Sequence, residues 1–80
     1  MEIQKGSLVY SKAGRDKGGL FLVLYTEDEY AYLTDGDTRR VKKPKKKKIK
    51  HINKTNKVLE IDSENISDSD VRKALSEFMV

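Results

Sequence analysis

A glycine-rich basic loop between two apolar segments constrains the fold of this chain more than any other feature. The stretch covers residues 5–26 and reads KGSLVYSKAGRDKGGLFLVLYT. The alternating residues 7–12 predict a short strand. Six consecutive apolar residues, 20–25, predict a second strand that is buried on both faces. Between the two strands lie Gly14, Gly18 and Gly19. Glycine permits positive φ angles and a close approach of the backbone to a partner.

Further strand signals follow along the chain. The alternation of residues 30–34 predicts a third strand. Asp35-Gly36 is typical of a two-residue type I′ hairpin turn, so residues 38–42 are the predicted returning strand. Pro44 ends that strand in this interpretation, because proline cannot donate a hydrogen bond to a sheet. The apolar anchors of a short fifth strand are Ile49 and Ile52.

The C-terminal residues have the pattern of an amphipathic helix. Ser67 is a good N-cap, and Asp70 stands at the position that completes a capping box. The apolar residues that follow at helical spacing are Val71, Ala74, Leu75 and Phe78. An isolated helix of about a dozen residues is marginal in water, so we expect it to dock either on the rest of the domain or on a partner.

Short strands, tight turns and one terminal helix predict a mainly β domain, a small SH3-like barrel of four to five strands with a short C-terminal α-helix. We expect the barrel in residues 1–53, which include a basic segment at 39–51. Residues 54–66 are the predicted connecting arm, part of which also fits a small edge strand. Residues 67–79 are the predicted helix packed on the barrel.

The charges of the chain are segregated. The net charge is +4, and nine of the seventeen lysines and arginines lie between Arg39 and Lys50. No acidic residue falls between Thr38 and Leu59. A positive sector of this kind attracts polyanions and raises their encounter rate. The basic segment has other interpretations. It could be a solubilising or general polyanion patch, and the sequence PKKKKIK also fits a nuclear import signal.

The residue content argues against catalysis and against membrane insertion. The chain has no cysteine and a single histidine, which leaves no residue set for a zinc site or a nucleophilic triad. Asp35 and Asp37 flank a predicted turn and are interpreted as turn residues. The start, MEIQKG, lacks the pattern of a signal peptide, and no apolar run approaches the roughly 18 residues of a membrane span. We therefore expect a cytoplasmic protein that is not an enzyme and holds no metal or other cofactor.

Several short motifs together resemble a known family. They are Lys5-Gly6, the loop AGRDKG at 13–18, Asp35-Gly36, Arg39-Arg40-Val41, Pro44-Lys45-Lys46, Lys50-His51-Ile52 and the terminal ISDSDVRKAL. The hairpin has the layout of the KOW motif, which also occurs in transcription elongation factors. With the basic segment and the terminal helix, most of the chain resembles the small bacterial KOW-domain RNA-binding proteins. These in turn are similar to ribosomal large-subunit proteins of archaea and eukaryotes.

The resemblance implies an SH3-like KOW barrel that binds structured RNA, with ribosomal RNA and the translating ribosome as the expected partners. The residues expected to contact RNA are Lys12, Gly14, Arg15, Lys17, Arg39, Arg40, Lys42, Lys43, Lys45, Lys46, Lys47, Lys48, Lys50 and His51. Tyr30 and Tyr32 fit either base stacking or packing, whereas Tyr10 and Tyr25 are interpreted as core or rim residues.

A second hypothesis belongs to a different class of function. In it, the protein is an interaction adaptor of the transcription or ribosome-associated machinery. The barrel, or the helix stripe of Val71, Leu75 and Phe78, binds a protein partner, and the lysines merely keep the complex close to nucleic acid.

Overall fold

The computed structural model describes residues 2–15 and 17–80, and these residues form five strands and one α-helix. Met1 and Asp16, the latter a member of the predicted glycine loop, lie outside the described residues. In chain order the elements are β1 (Ser7–Ser11), β2 (Leu20–Glu27), β3 (Tyr30–Thr34), β4 (Lys45–Lys48), a 3₁₀ turn (Ile49–His51), β5 (Ile52–Val58) and α1 (Asp68–Met79).

All five strands belong to one antiparallel sheet in the order β4-β3-β2-β1-β5. The sheet is curled. This curvature is seen in a buried cluster that Ile52 of β5 and Leu33 of β3 share, although β2 and β1 lie between these two strands. The other members of this inner cluster are Val9, Phe21, Val23 and Ala31. The mainly β class predicted from the sequence is confirmed. Within the described residues, β4 and β5 are not paired with each other, so the barrel is not closed.

The first part of β2, up to Leu24, is buried on both faces, as its apolar run predicts, whereas Tyr25 at the end of that run is exposed. Successive side chains of a strand point to opposite sides of a sheet. Phe21 and Val23 therefore lie in the inner cluster, whereas Leu22 lies in a second cluster on the outer face. Around the second cluster pack the partly buried side chains of Leu20, Val41, Leu59, Ile61, Ile66 and Phe78.

The helix α1 covers that outer cluster. Its capping box is formed as predicted: the Asp70 amide donates to Ser67 Oγ (3.0 Å), and the Ser67 amide donates to the Asp70 carboxylate (3.1 Å). Val71 and Leu75 are 0% and 7% exposed and pack with Leu8 and Leu22. The helix therefore docks on its own sheet, which is the first of the two options that the sequence leaves open.

The predicted returning strand at 38–42 is wrong, because β4 begins only at Lys45. A type I′ turn needs positive φ at both central residues. Among the described residues outside glycine, only Asp28 has a positive φ, so Asp35-Gly36 does not form that turn. Instead, the Asp35 carboxylate accepts hydrogen bonds from backbone and side-chain groups that follow it and holds a longer loop, residues 35–44. Pro44 consequently precedes a strand rather than ending one.

The fifth strand begins at Ile52, because the other predicted anchor, Ile49, lies in the 3₁₀ turn. The strand is longer than predicted and runs to Val58, into the segment expected to be a connecting arm. Its end is fixed by a close backbone contact, in which the Leu59 amide donates to the Gly6 carbonyl (2.8 Å). Gly6 has a φ of 91°, and a Cβ at this position would collide with the Leu59 carbonyl group. Only glycine therefore fits where β5 leaves the sheet.

The helix packing generates a stability prediction. Leu75→Ala should lower the free energy of unfolding by about 2–5 kcal/mol, because it removes a buried side chain and leaves a cavity between α1 and the sheet. Denaturant unfolding followed by circular dichroism measures this difference. The matched control is Ser76→Ala, an exposed neighbour on the same helix, which should change stability by less than about 0.5 kcal/mol. Equal stability of the two variants would show that the stripe does not pack in solution.

Candidate nucleic-acid interface

The glycine loop, residues 12–19, is closed at its base by the β1–β2 pair. The Gly18 amide donates to the Ser11 carbonyl (2.8 Å), and the Ser11 amide donates to the Gly19 carbonyl (3.1 Å). Nearer the tip, the Lys17 amide donates to the Gly14 carbonyl (3.2 Å). The φ angles of 76° at Gly14 and 86° at Gly18 show why glycines occupy these positions. The tight turn leaves Arg15 and Lys17 exposed.

The side chain of Lys47 connects this loop to β4. Lys47 stands opposite Ala31 in the sheet and therefore starts on the core side of β4. Its Nζ atom donates a hydrogen bond to the Ala13 carbonyl (2.8 Å). This residue was predicted to contact RNA, and the structure places its ammonium group in a contact within the fold. The glycine loop and β4 are held side by side as a result.

The 3₁₀ turn adds further basic residues at the base of the loop. The Lys12 amide donates to the His51 carbonyl (2.8 Å), and Ser11 is paired with Ile52. Lys12, Lys50 and His51 all have exposed side chains. We call the resulting surface the loop patch, and its predicted site residues are Lys12, Gly14, Arg15, Lys17, Lys47, Lys50 and His51.

The other predicted site residues before β4 lie in the loop 35–44, whose shape depends on Asp35. The Asp35 carboxylate accepts hydrogen bonds from the amides of Asp37 (2.9 Å) and Arg39 (2.8 Å) and from the Thr38 hydroxyl (2.7 Å). Partial burial raises the pKa of Asp35, but the hydrogen bonds from Arg39, Asp37 and Thr38 together lower the pKa below its ordinary value. The group is thus a charged acceptor that shapes the loop at neutral pH.

The N-terminal part of α1 anchors the same loop. The Val41 amide donates to the Asp68 carboxylate (2.7 Å), and Arg72 Nη1 donates to the Gly36 carbonyl (2.6 Å). A Cβ at Gly36 would collide with the backbone carbonyl of Asp68, so the loop approaches the helix closely. These contacts were not predicted. The first contact joins two residues that are 27 positions apart in the sequence, and the second joins two that are 36 positions apart. No local sequence pattern reports a contact over such a distance.

The anchored loop and the start of β4 border a shallow cavity of about 570 Å³. Its lining contains five cations and no acid, and consists of Thr38, Arg39, Arg40, Lys43, Pro44, Lys45 and Lys46. We call this surface the arginine patch. Its shape and charge suit an anionic group, for which arginine and lysine are the usual protein ligands. Lys42 is exposed on the same loop.

A row of aromatic and basic residues lies on the outer face of β2, β3 and β4. Tyr25 is opposite Tyr32, which in turn is opposite Lys46. The rings of Tyr25 and Tyr32 are stacked, with centroids 4.4 Å apart and planes 18° from parallel. The Nζ atom of Lys46 lies 4.4 Å from the centre of the Tyr30 ring, a cation–π contact.

The sequence indicated Tyr30 and Tyr32 as stacking or packing residues, but their alignment with the lysines of β4 in this tyrosine–lysine face was missed. The alternation of Tyr30 with Tyr32, and of Lys46 with Lys48, was a signal for it. The tyrosine pair stands opposite the lysine pair only because β4 begins at Lys45. The prediction of a returning strand at 38–42 gave a different pairing with β3, in which these lysines had no place. Tyr25 had been interpreted as a core or rim residue, and the residue is 45% exposed.

Comparisons with known proteins add no family: no family model matches the chain, and a search of curated proteins found no match. The KOW resemblance therefore stays a prediction based on the motifs given above. Among the described residues, no helix is long and apolar enough to cross a membrane.

The contact between Lys47 and Ala13 generates a prediction about the glycine loop. Lys47→Met removes the donor and should accelerate amide hydrogen exchange at Lys17 and Gly18 by about tenfold, because a charge-assisted hydrogen bond holding the loop is lost. Nuclear magnetic resonance measures the exchange rates.

Lys48→Met is the matched control, because Lys48 starts on the opposite side of β4 beside Tyr30. It should leave the exchange rates of the loop unchanged. Unchanged rates in Lys47→Met as well would contradict a role for Lys47 in positioning the loop.

Proposed function

We propose that this protein is a non-catalytic RNA-binding module that contacts the phosphates of folded RNA, with ribosomal RNA as the expected target. The observation that carries the proposal is the hydrogen bond from Lys47 to the Ala13 carbonyl, which places the glycine loop beside β4. The loop patch and the arginine patch are thereby connected through β4. Cations on neighbouring, anchored segments can contact several phosphates of one RNA together, and such contacts position a protein on nucleic acid.

The chemistry of the two patches favours phosphate contact over base reading. Each phosphate neutralised by a lysine or arginine releases counterions, so a few such contacts supply much of the affinity and make it depend strongly on salt. Arg15 and Lys17 project from a tight turn, and Arg40 and Lys43 from a loop anchored to α1. Because these segments have fixed positions, the surface recognises the shape and charge density of a folded RNA.

Charge alone does not select RNA over other polyanions. That part of the proposal rests on the resemblance to KOW-domain RNA-binding proteins, in which the glycine loop lies near the RNA backbone. The structure supplies the corresponding mainly β domain with the loop between its first two strands. It also supplies a reason for the basic segment to act together with the loop, which is the contact of Lys47 with Ala13.

The proposal includes no catalytic step. Asp35 is the acceptor of three hydrogen bonds that shape a loop, so its carboxylate is engaged in structure rather than poised for proton transfer. His51 lies in the 3₁₀ turn, and its backbone carbonyl accepts the Lys12 amide. Under this proposal, neither residue acts as an acid or a base in a reaction.

The adaptor hypothesis receives less support. Two of the three stripe residues, Val71 and Leu75, are buried against the sheet and are unavailable to a partner. Phe78 is half-buried and borders a cleft of about 350 Å³ between the end of α1 and the segment after β5. Of the three stripe residues, only Phe78 thus remains partly accessible to a protein partner.

The proposal is tested with paired charge reversals. Arg15→Glu with Lys17→Glu alters the loop patch, and Arg40→Glu with Lys43→Glu alters the arginine patch. Each pair should weaken binding to structured ribosomal RNA by about tenfold or more at physiological salt, and should reduce the slope of log affinity against log salt by roughly 1–2. Filter binding or fluorescence anisotropy over a salt series measures both quantities.

The control pair, Lys57→Glu with Lys73→Glu, makes the same change in net charge on exposed residues of β5 and α1, outside both patches. It should retain most of the affinity. An equal loss in all three variants would show that only net charge matters, which would overturn the proposed site. Retention of RNA binding by all three variants would also contradict it and would direct attention to the adaptor hypothesis.

A further inference from the structure

The outer surface of the sheet has two halves, one covered by α1 and the other not. Over β1 and the first part of β2, α1 covers Leu8 and Leu22. Over the end of β2, β3 and β4, the residues of the outer face are Tyr25, Glu27, Tyr30, Tyr32, Lys46 and Lys48, by the strand register. Tyr25 remains 45% exposed although it is a large aromatic side chain beside a well-packed core. The fold thus keeps an aromatic surface in contact with solvent.

The stacked rings of Tyr25 and Tyr32 form a platform that is already organised. The two residues are cross-strand partners, and their planes are only 18° from parallel. The Tyr32 hydroxyl also reaches the Glu27 carboxylate (3.4 Å). A further flat ring can extend this stack over the exposed Tyr25 with little loss of conformational freedom, because the tyrosines are already in place.

The charges around the platform suit a nucleotide. Lys46 is the cross-strand neighbour of Tyr32, and Lys48 is that of Tyr30, so two cations lie on the β4 side of the rings. Glu27 is opposite Tyr30 on the β2 side and repels phosphates there. A nucleotide whose base lies on the rings and whose phosphate points toward β4 has that phosphate near the two lysines and away from Glu27. Aromatic platforms flanked by cations are the common means of binding unpaired bases.

The platform is continuous with the arginine patch. Lys46 lines the basic cavity of the loop 35–44, and its ammonium group lies over Tyr30 on the tyrosine–lysine face. An RNA whose folded part lies on the arginine patch can therefore extend an adjoining single strand past Lys46 to the platform.

We propose that Tyr25 stacks an unpaired base of a single-stranded segment that adjoins the folded RNA, with Lys46 and Lys48 binding the phosphates of that segment. This inference rests on the proposed RNA-binding function and adds to it the form of RNA recognised, a duplex next to unpaired nucleotides.

The experiment compares two hairpin RNAs with the same stem, one blunt and one with a short single-stranded overhang whose first base is 2-aminopurine. The wild-type protein should bind the overhang RNA about fivefold more tightly or better, as expected for one stacked base. Stacking should also quench the 2-aminopurine fluorescence. Tyr25→Leu should abolish the affinity gain and the quenching, and should leave the affinity for the blunt hairpin unchanged.

Tyr10→Leu is the matched control. Tyr10 is 39% exposed, but its cross-strand neighbours are Leu20 and Asn53, away from the platform. It should retain the overhang gain and the quenching.

Equal, tight binding of both RNAs by the wild-type protein would overturn the platform while leaving the phosphate-binding function in place. A gain that persists in Tyr25→Leu would also overturn it. Failure of the wild-type protein to bind either RNA would overturn the proposed function and this inference with it.

Discussion

The strand β2 contributes side chains to two hydrophobic clusters, and the positions of the basic residues depend on that double burial. Phe21 and Val23 pack with side chains of β1, β3 and β5 in the inner cluster. Leu22 lies on the outer face, where α1 docks. The helix then holds the loop 35–44 through Asp68 and Arg72. Each buried aliphatic side chain is worth about 1.5–3 kcal/mol, compared with about 0.5–1.5 kcal/mol for a hydrogen bond. Apolar packing therefore decides where the arginine patch lies, and the hydrogen bonds fix its shape.

The four consecutive lysines of β4 have different roles because a strand alternates its side chains between two faces. Lys45 and Lys47 stand opposite Leu33 and Ala31 on the core side, and Lys47 reaches the glycine loop. Lys46 and Lys48 stand opposite tyrosines on the outer side. Because β4 is at the edge of the sheet, its lysines also discourage pairing with a strand of another molecule. One short run thus supports the loop, extends the basic surface and protects an open edge.

The parts of the fold that sequence reasoning recovered are those with local signals. The apolar run of β2, the alternation in β3 and the capping box at Ser67 each express a preference of a few neighbouring residues. The start of β4 was placed too early, because Asp-Gly usually forms a hairpin turn and lysine has a low preference for strands. What competes with that rule is the set of hydrogen bonds to Asp35 and the contacts of Gly36 and Val41 with α1. The hydrogen bonds to Asp35 are local, but the contacts with α1 are long-range and leave no local pattern.

The candidate site was predictable in composition but not in arrangement. The list of basic residues follows directly from the charge run and from the glycine loop. Its division into two patches, the use of Lys47 within the fold and the tyrosine–lysine face all depend on the register between β3 and β4. A one-residue change of register moves every side chain of a strand to the other face, so these features become visible only when the pairing is known.

The central claim is that the protein recognises folded RNA through a shaped surface rather than through charge alone. The most direct test is to measure affinity for structured ribosomal RNA, an unrelated hairpin RNA and duplex DNA at low and at high salt. The account predicts that ribosomal RNA binds most tightly and keeps its advantage when salt weakens all three complexes. Equal affinities that fall together as salt rises would contradict it and would leave the basic residues as a general polyanion surface.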